Sequence, residues 1–321
     1  MKARLIINPI SGTHSKAGLA ENVVESLTPL GWDVETLFTR GRGDATRLAL
    51  EAVDRGMDAV LAAGGDGTVN ETAIALCGSE TALGILPCGS GNGLARHLGI
   101  PVDPREGLKI IMAQKPRPID YATVNGRKFF CTFGVGFDAA VSDAFARKKT
   151  RGKLTYLQST FETYAHFEPE LYKVTANGQT MTEKAFLIAV CNASQYGNNA
   201  YIAPNASIDD GMLDVTVVHA GNPLSTALVG FDLLAGMIEH NVLIRQFRTS
   251  SLTIERSQGG IAHIDGEPVE MPSRLDFECH PALLNVFAPP GSDKAFKPFI
   301  TPAASMLADF KLAVNRVFQK D

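Results

Sequence analysis

Ala59-Val60-Leu61-Ala62-Ala63-Gly64-Gly65-Asp66-Gly67-Thr68-Val69-Asn70-Glu71 decides how this chain is read. Its apolar run has the look of a buried strand, and it empties into three glycines within four positions. Glycines let main-chain N–H groups approach a ligand with no Cβ in the way, and a helix starting next adds the positive end of its dipole. Phosphate suits such a turn. Thr68 is expected to cap that helix, with Glu71 three residues on closing a capping box before Thr72-Ala73-Ile74-Ala75-Leu76. Asp66 is then the odd residue, an acid in an anion-friendly turn. A magnesium ion or a hydroxyl to be activated explains it better than packing does.

Working outward, the same grammar repeats. Residues 4–7 read as a short buried strand ending at Asn8-Pro9-Ile10-Ser11-Gly12, and a helix of about fifteen residues, to Leu30, follows from the spacing of Leu19, Val23 and Leu27. A second strand, Val34 to Phe38, ends at Thr39-Arg40-Gly41-Arg42-Gly43, after which Asp44 is expected to cap a helix carrying Leu48 and Val53. Ala82 to Leu86 form the strand after the glycine turn, ending at Pro87-Cys88-Gly89-Ser90-Gly91-Asn92 ahead of another helix. Four strand-helix alternations predict a parallel sheet with helices on both faces. Ligands of such sheets bind beyond the carboxyl ends of the strands. Asn8 and Ser11, Thr39 and Arg40, Gly65 to Glu71 and Ser90 to Asn92 should therefore share one cleft, although glycines that merely make turns would leave the same trace.

From about Tyr121 the segments become short, β-branched or aromatic: Ala122–Val124, Phe129–Phe133, Leu171–Thr175, Lys184–Cys191 and Leu213–His219. Asn125-Gly126 and Asn177-Gly178 are hairpin turns by composition. An all-β domain, a sandwich, is expected, interrupted by helices near 138–148, 153–167 and 223–240. Met306, Leu307, Phe310, Leu312, Val314 and Val317 are spaced for a C-terminal helix from Ala303 to Phe318 that returns to the first domain. The expected organisation is an α/β domain over 1–121, a β-sandwich over 122–292 and a helical tail over 293–321. A chain of 321 residues, 45% hydrophobic and 20% charged, is long enough for two cores.

The formal charge of −4 gives no global pull toward nucleic acid. Five scattered cysteines without a C-x-x-C pair argue against a disulfide framework or zinc site and fit a reducing cytosol. The N-terminus runs straight into a strand, and no apolar stretch approaches the roughly 18 residues that span a bilayer, so a soluble or peripheral protein is expected. Arg147-Lys148-Lys149 with Arg151 and Lys153 is the one dense basic cluster; anionic headgroups or plain solvation account for it equally. The 223–240 helix, with Leu224, Leu228, Phe231 and Leu234, has an apolar face for a membrane or, as the better reading, for a core. The seven histidines show no metal-binding spacing; His263 lies near the chemistry discussed next. Lys16 and Arg40 stand near strand ends where phosphates would lie, though plain surface positions are the default for Lys and Arg.

With Gly64-Gly65-Asp66-Gly67-Thr68, Pro87-Cys88-Gly89-Ser90-Gly91-Asn92 and Asp265-Gly266-Glu267-Pro268 in view, the chain resembles the diacylglycerol kinase catalytic family, which includes bacterial lipid kinases and the sphingosine and ceramide kinases. Asn8-Pro9-Ile10-Ser11-Gly12, Ala203-Pro204-Asn205-Ala206 and Asp210-Gly211-Met212-Leu213 extend the likeness nearly end to end. The resemblance implies an NAD-kinase/diacylglycerol-kinase-like α/β nucleotide domain and a lipid-binding β-sandwich with the active site between them. It implies ATP and its metal at Asn8, Thr39, Gly64, Gly65, Asp66, Gly67, Thr68, Val69, Asn70, Glu71, Ser90, Gly91 and Asn92. It places the catalytic base on Glu267, with Asp265 as neighbour or rival and Asp66 as a competitor. It also implies a second, structural magnesium at Ser207, Asp210 and Met212, where an ordinary acidic turn is the plain alternative.

The implied activity is ATP-dependent transfer of a γ-phosphoryl group to the hydroxyl of a lipid, diacylglycerol or a sphingoid base, with Mg2+. Its setting would be the cytoplasm, peripheral on the inner membrane face. A soluble NAD-kinase-like enzyme shares the glycine turn but not the Pro-x-Gly-Ser-Gly-Asn and Asp-Gly-Glu-Pro segments. A non-catalytic nucleotide- or lipid-binding regulator has little use for Glu267 in a neighbouring domain. A spare sheet edge offers a place for two copies to pair as a homodimer.

Overall fold

The computed structural model describes residues 1–11, 18–148, 159–160, 162–164, 166–197, 200–221, 226, 229, 232–233, 238 and 241–291. Four parallel strands, β1 (Lys2–Ile7), β2 (Asp33–Phe38), β3 (Ala59–Gly64) and β4 (Ala82–Pro87), lie in the order β2-β1-β3-β4. Every residue of β3 and β4 is buried, because helices cover both faces. Ile6, Val60, Ala62, Leu83 and Ile85 pack on one face beneath α2 (Asp44–Asp54) and α3 (Asp66–Leu76). Leu5, Ile7, Leu61, Ala63 and Leu86 pack on the other with α1 (Leu19–Leu27) and α5 (Pro104–Ala113), while the short α4 (Gly93–His97) follows the β4 loop. The period-2 alternation of these side chains sends neighbours to opposite cores.

Local details differ from the sequence reading. Helix α1 runs nine described residues before a 3-10 turn, Thr28–Leu30, rather than fifteen. Asp44 does not cap α2; Gly43, at φ +84°, precedes the helix and the Asp44 carboxylate accepts from the Arg40 amide at 2.7 Å. Thr68 does not cap α3 either, for the helix begins three residues sooner, at Asp66 after an extended Gly65. No capping box forms, because Glu71 is spent on another loop.

The second unit contains β5 (Pro116–Val124), β6 (Arg127–Phe129), β7 (Thr132–Gly136), β8 (Glu170–Ala176), β9 (Gln179–Cys191), β10 (Leu213–His219), β11 (Ile244–Thr249), β12 (Ser251–Arg256), β13 (Gly260–Ile264), β14 (Glu267–Met271) and β15 (Arg274–Phe287), with α6 (Phe137–Arg147) leaving β7. All its internal ladders are antiparallel, and Phe129, Phe133, Val190, Val215, Ile254 and Phe277 lie in their common core. Asn125-Gly126 and Asn177-Gly178 adopt paired positive φ values, +47°/+78° and +50°/+73°, the twist-matched hairpin geometry. Strand β15 joins the two units: it pairs with β12 and β5 in the sandwich and, at Val286 opposite Leu83, runs parallel to β4. Ile119, Phe130, Ala193 and Ile208 of the second unit accordingly share a core with β3 and β4.

Among the described residues no helix is long and apolar enough to cross a membrane. The expected C-terminal helix at 303–318, most of the helix at 223–240, Gly12, His14, Lys16, His240 and the basic residues Lys149, Arg151 and Lys153 lie outside the described residues.

The junction of β7 with α6 supplies a test. Gly136 has φ +94°, and a Cβ there would stand 2.6 Å from the Phe186 carbonyl oxygen. Gly136→Ala should cost about 2–4 kcal/mol, the sum of a left-handed residue and an overpacked contact, read as a lower urea midpoint with unchanged slope.

Candidate active site

The four strand ends stand side by side. The Thr39 amide donates to Ile7 O at 2.9 Å, Asn8 N to Ala63 O at 3.0 Å and Cys88 N to Gly64 O at 2.8 Å. Asn8 Nδ2 donates to Thr68 Oγ1 at 3.0 Å, tying the first loop to the glycine turn. Glycine is required where the third and fourth loops touch: a Cβ on Gly89 would lie 2.6 Å from Gly65 Cα, and one on Gly91 2.6 Å from Asp66 Oδ2.

Carboxylates hold these loops in place. Asp66 accepts the Asn92 amide at 2.8 Å and the Gly93 amide at 2.6 Å, so it spans from the glycine turn to the β4 loop. Glu71 accepts from Gly43 N at 2.8 Å and Ala45 N at 3.2 Å, occupying the free amides at the start of α2. Asn92, at φ +52°, closes its own loop through Gly89, accepting from its amide at 3.0 Å and donating to its carbonyl at 2.7 Å. Gly64, Thr39, Thr68 and Val69 are buried supports, and Gly65, Asn70 and Gly91 are half-buried. Gly67 and Ser90 are open to solvent on this edge, as are Arg40 and Arg42.

Across the cleft, Asp265-Gly266 forms the turn between β13 and β14, at φ +50° and +84°. The Asp265 carboxylate accepts from the amides of Phe130 (3.0 Å), Cys131 (2.7 Å) and Thr132 (2.9 Å) and from Asn70 Nδ2 (3.0 Å). Burial pushes its pKa up, while those amides and nearby His263 pull it part of the way back. Glu267, one residue past Gly266, is the opposite case: its side chain is 65% exposed, with Arg42 Nη2 at 3.9 Å. Two carboxylates on one turn thus differ in setting, one enclosed by donors and one exposed. Sequence reasoning missed Asn70 as the side chain that reaches across the cleft, and Arg42 as the cation facing Glu267. Asp265-Gly266 carries the same hairpin signal as Asn125-Gly126 and could have been read as a turn.

Ser207, Asp210 and Met212 sit together in the turn before β10. Arg248 pairs with the Asp210 carboxylate, whose other oxygen accepts the Met212 amide at 3.1 Å, while Ser207 Oγ donates to Asp209. Asp120 accepts from Gly211 N and Ala282 N, and burial pushes Asp214 up to about 6 despite Arg248 Nε at 3.4 Å. Among the described residues no three His, Cys, Asp or Glu side chains converge as a metal cage. The Asp210 carboxylate is engaged by Arg248 and the Met212 amide; a magnesium held by that carboxylate with the main-chain carbonyls of Ser207 and Met212 would call for no such cluster of side chains.

Residues 2–124 match the family model of the diacylglycerol kinase catalytic domain, and residues 131–288 match that of the YegS C-terminal NAD kinase beta sandwich-like domain. A Pseudomonas putida protein named "Probable lipid kinase YegS-like" is 30% identical over 286 residues, covering 87% of this chain and 94% of that one. Its Pseudomonas aeruginosa namesake is 32% identical over 288 residues, covering 87% and 93%. A crystal structure of a "putative diacylglycerol kinase" from Bacillus anthracis superposes with a TM-score of 0.75 at 26% identity, covering 90% of this chain and 97% of the other. An Archaeoglobus fulgidus NAD kinase solved in complex with ATP shares the fold alone, at a TM-score of 0.52 and 11% identity over 92% of this chain and 96% of its own.

The contrast between the two turn carboxylates is measurable without any substrate. Asp265→Ala strips the acceptor from three backbone amides and should cost about 3 kcal/mol or more in urea denaturation. Glu267→Ala should leave stability within about 0.5 kcal/mol of wild type.

Proposed function

The chain belongs to the diacylglycerol kinase catalytic-domain family and is a lipid kinase, and we propose that it moves the γ-phosphoryl group of MgATP to the hydroxyl of a long-chain lipid alcohol with Glu267 as the base. The observation that carries this reading is the placement of an exposed Glu267 on a turn whose neighbour, Asp265, is bonded at 3.0 Å to Asn70 of the glycine-turn helix. Glu267 takes the proton of the lipid hydroxyl, the oxygen attacks the γ-phosphorus, and ADP leaves with the bond to its β-phosphate oxygen. The glycine turn, Ser90, Arg40 and Arg42 lie at the strand ends where the triphosphate would be met, and the magnesium arrives with the nucleotide as part of the substrate.

Asp66 and Asp265 are poorer bases. Asp265 accepts four donors, two on each oxygen, which fills its acceptor sites; Asp66 accepts two loop amides, one on each oxygen, and is held against the 89–93 loop rather than on the Asp265-Gly266 turn. No step is assigned to a second magnesium at Ser207, Asp210 and Met212. The acceptor is a diacylglycerol- or sphingoid-type alcohol presented at the cytoplasmic face of a membrane.

The test is transfer of label from radiolabelled MgATP to micellar diacylglycerol, monoacylglycerol, sphingosine and ceramide, with NAD as a soluble acceptor. Label is expected in one lipid class and absent from NAD. Glu267→Gln should lower kcat at least about 100-fold with nucleotide affinity within about twofold of wild type. Label in NAD alone, or full turnover by the variant, would contradict the reading.

A further inference from the structure

Behind the Asp265-Gly266 turn lies a polar cluster that phosphoryl transfer, as described, leaves unused. His263 on β13 is 1% exposed and Asp138 in the first turn of α6 is 7% exposed. His263 Nε2 stands 3.1 Å from Asp138 Oδ2, and the Tyr196 hydroxyl donates to the same oxygen at 2.8 Å. Asp138 Oδ1 accepts the Ala139 amide at 2.8 Å. The far side of the imidazole meets the turn itself: Gly266 N lies 3.4 Å from His263 Nδ1. Nδ1 is therefore the acceptor and Nε2 carries the proton given to Asp138.

The pair has a seat made for it. His263 is registered opposite Gly134 of β7, where a Cβ would fall 2.1 Å from Asp138 Oδ2 and 2.4 Å from His263 Nε2. Tyr196 extends the cluster toward the nucleotide loops. Its carbonyl oxygen would be 3.7 Å from a Cβ on Gly93, and a Cβ on its neighbour Gly197 would be 3.6 Å from the Gly91 backbone. A continuous path thus runs from the 89–93 loop through Tyr196, Asp138 and His263 to the amide of Gly266, one residue before Glu267.

We propose that Tyr196, Asp138 and His263 are positioning residues that fix the 265–267 turn, and so the carboxylate of Glu267, relative to the nucleotide loops. The inference rests on the assignment of Glu267 as the base. A hydrogen-bonded pair serving stability alone would need neither the imidazole's contact with Gly266 nor a tyrosine whose backbone lies beside the 89–93 loop. Misplacing a catalytic group by about 1 Å costs up to about 100-fold in rate, so the effect belongs on kcat.

The experiment compares wild type, His263→Ala, His263→Asn, Asp138→Asn and Tyr196→Phe in two readouts, lipid phosphorylation kinetics and hydrogen exchange of peptides spanning 260–271. His263→Ala and Asp138→Asn should lower kcat roughly 10- to 100-fold with KM for ATP within about twofold, and should speed exchange in that hairpin alone. His263→Asn keeps an acceptor near the Gly266 amide and should recover part of kcat. Tyr196→Phe keeps the ring and should fold even if the others do not, with a loss of roughly 3- to 10-fold. Unchanged kcat in an active background, or a uniform loss of stability with the hairpin no more exposed than the rest, overturns the proposal. If wild type phosphorylates no lipid, the base assignment falls; exchange confined to the hairpin still supports positioning, and unchanged exchange refutes it.

Discussion

The Asp265 carboxylate, with three consecutive backbone amides on one side and Asn70 on the other, is the constraint on which the two-unit arrangement depends. A buried carboxylate without donors is expensive enough to be protonated or expelled. Hydrogen bonds to a charged group stabilise by about 1.5–3 kcal/mol each, so four of them offset most of that cost. The turn cannot move without surrendering them together. Asp265 thereby fixes the hairpin to the segment 130–132 and to the helix that starts at the glycine turn, and leaves Glu267 beyond the turn, exposed.

The same device recurs wherever loops rich in glycine would otherwise be loose. Asp66 holds the amides of Asn92 and Gly93, Glu71 those of Gly43 and Ala45, and Asp120 those of Gly211 and Ala282. Each carboxylate binds a loop or turn distant in sequence and satisfies its amides. An anion-friendly turn thus contains acids without contradiction, because those acids take amides of neighbouring loops.

Much of this was legible in the residues. Strands β1, β3 and β4 announce themselves because burial on both faces demands continuous apolar runs, and Asn125-Gly126 and Asn177-Gly178 because their positive φ values suit the hairpin twist. The motifs that carry the family resemblance brought Asn8, the glycine turn, Ser90 and Gly91 to one sheet edge. What failed was local bookkeeping of polar side chains. Thr68 and Glu71 have capping spacing, yet Thr68 accepts from Asn8 and Glu71 serves a neighbouring helix, partners that no window of sequence contains. The return of β15 to β4 was equally out of reach, since Val286 and Leu83 are brought together by the fold alone. His263 stood out only by its nearness to Asp265, and its partners Asp138 and Tyr196 lie 125 and 67 positions away.

A crystal structure with magnesium and a non-hydrolysable ATP analogue tests the division of labour among the carboxylates most directly. The account predicts the γ-phosphate against the amides of residues 65–67, Asp265 still bonded to Phe130, Cys131, Thr132 and Asn70, and a Glu267 oxygen facing the open side of the γ-phosphorus with room for a hydroxyl between them. A γ-phosphate remote from the glycine turn would contradict it, as would an Asp265 released from its amides to face the phosphate in place of Glu267.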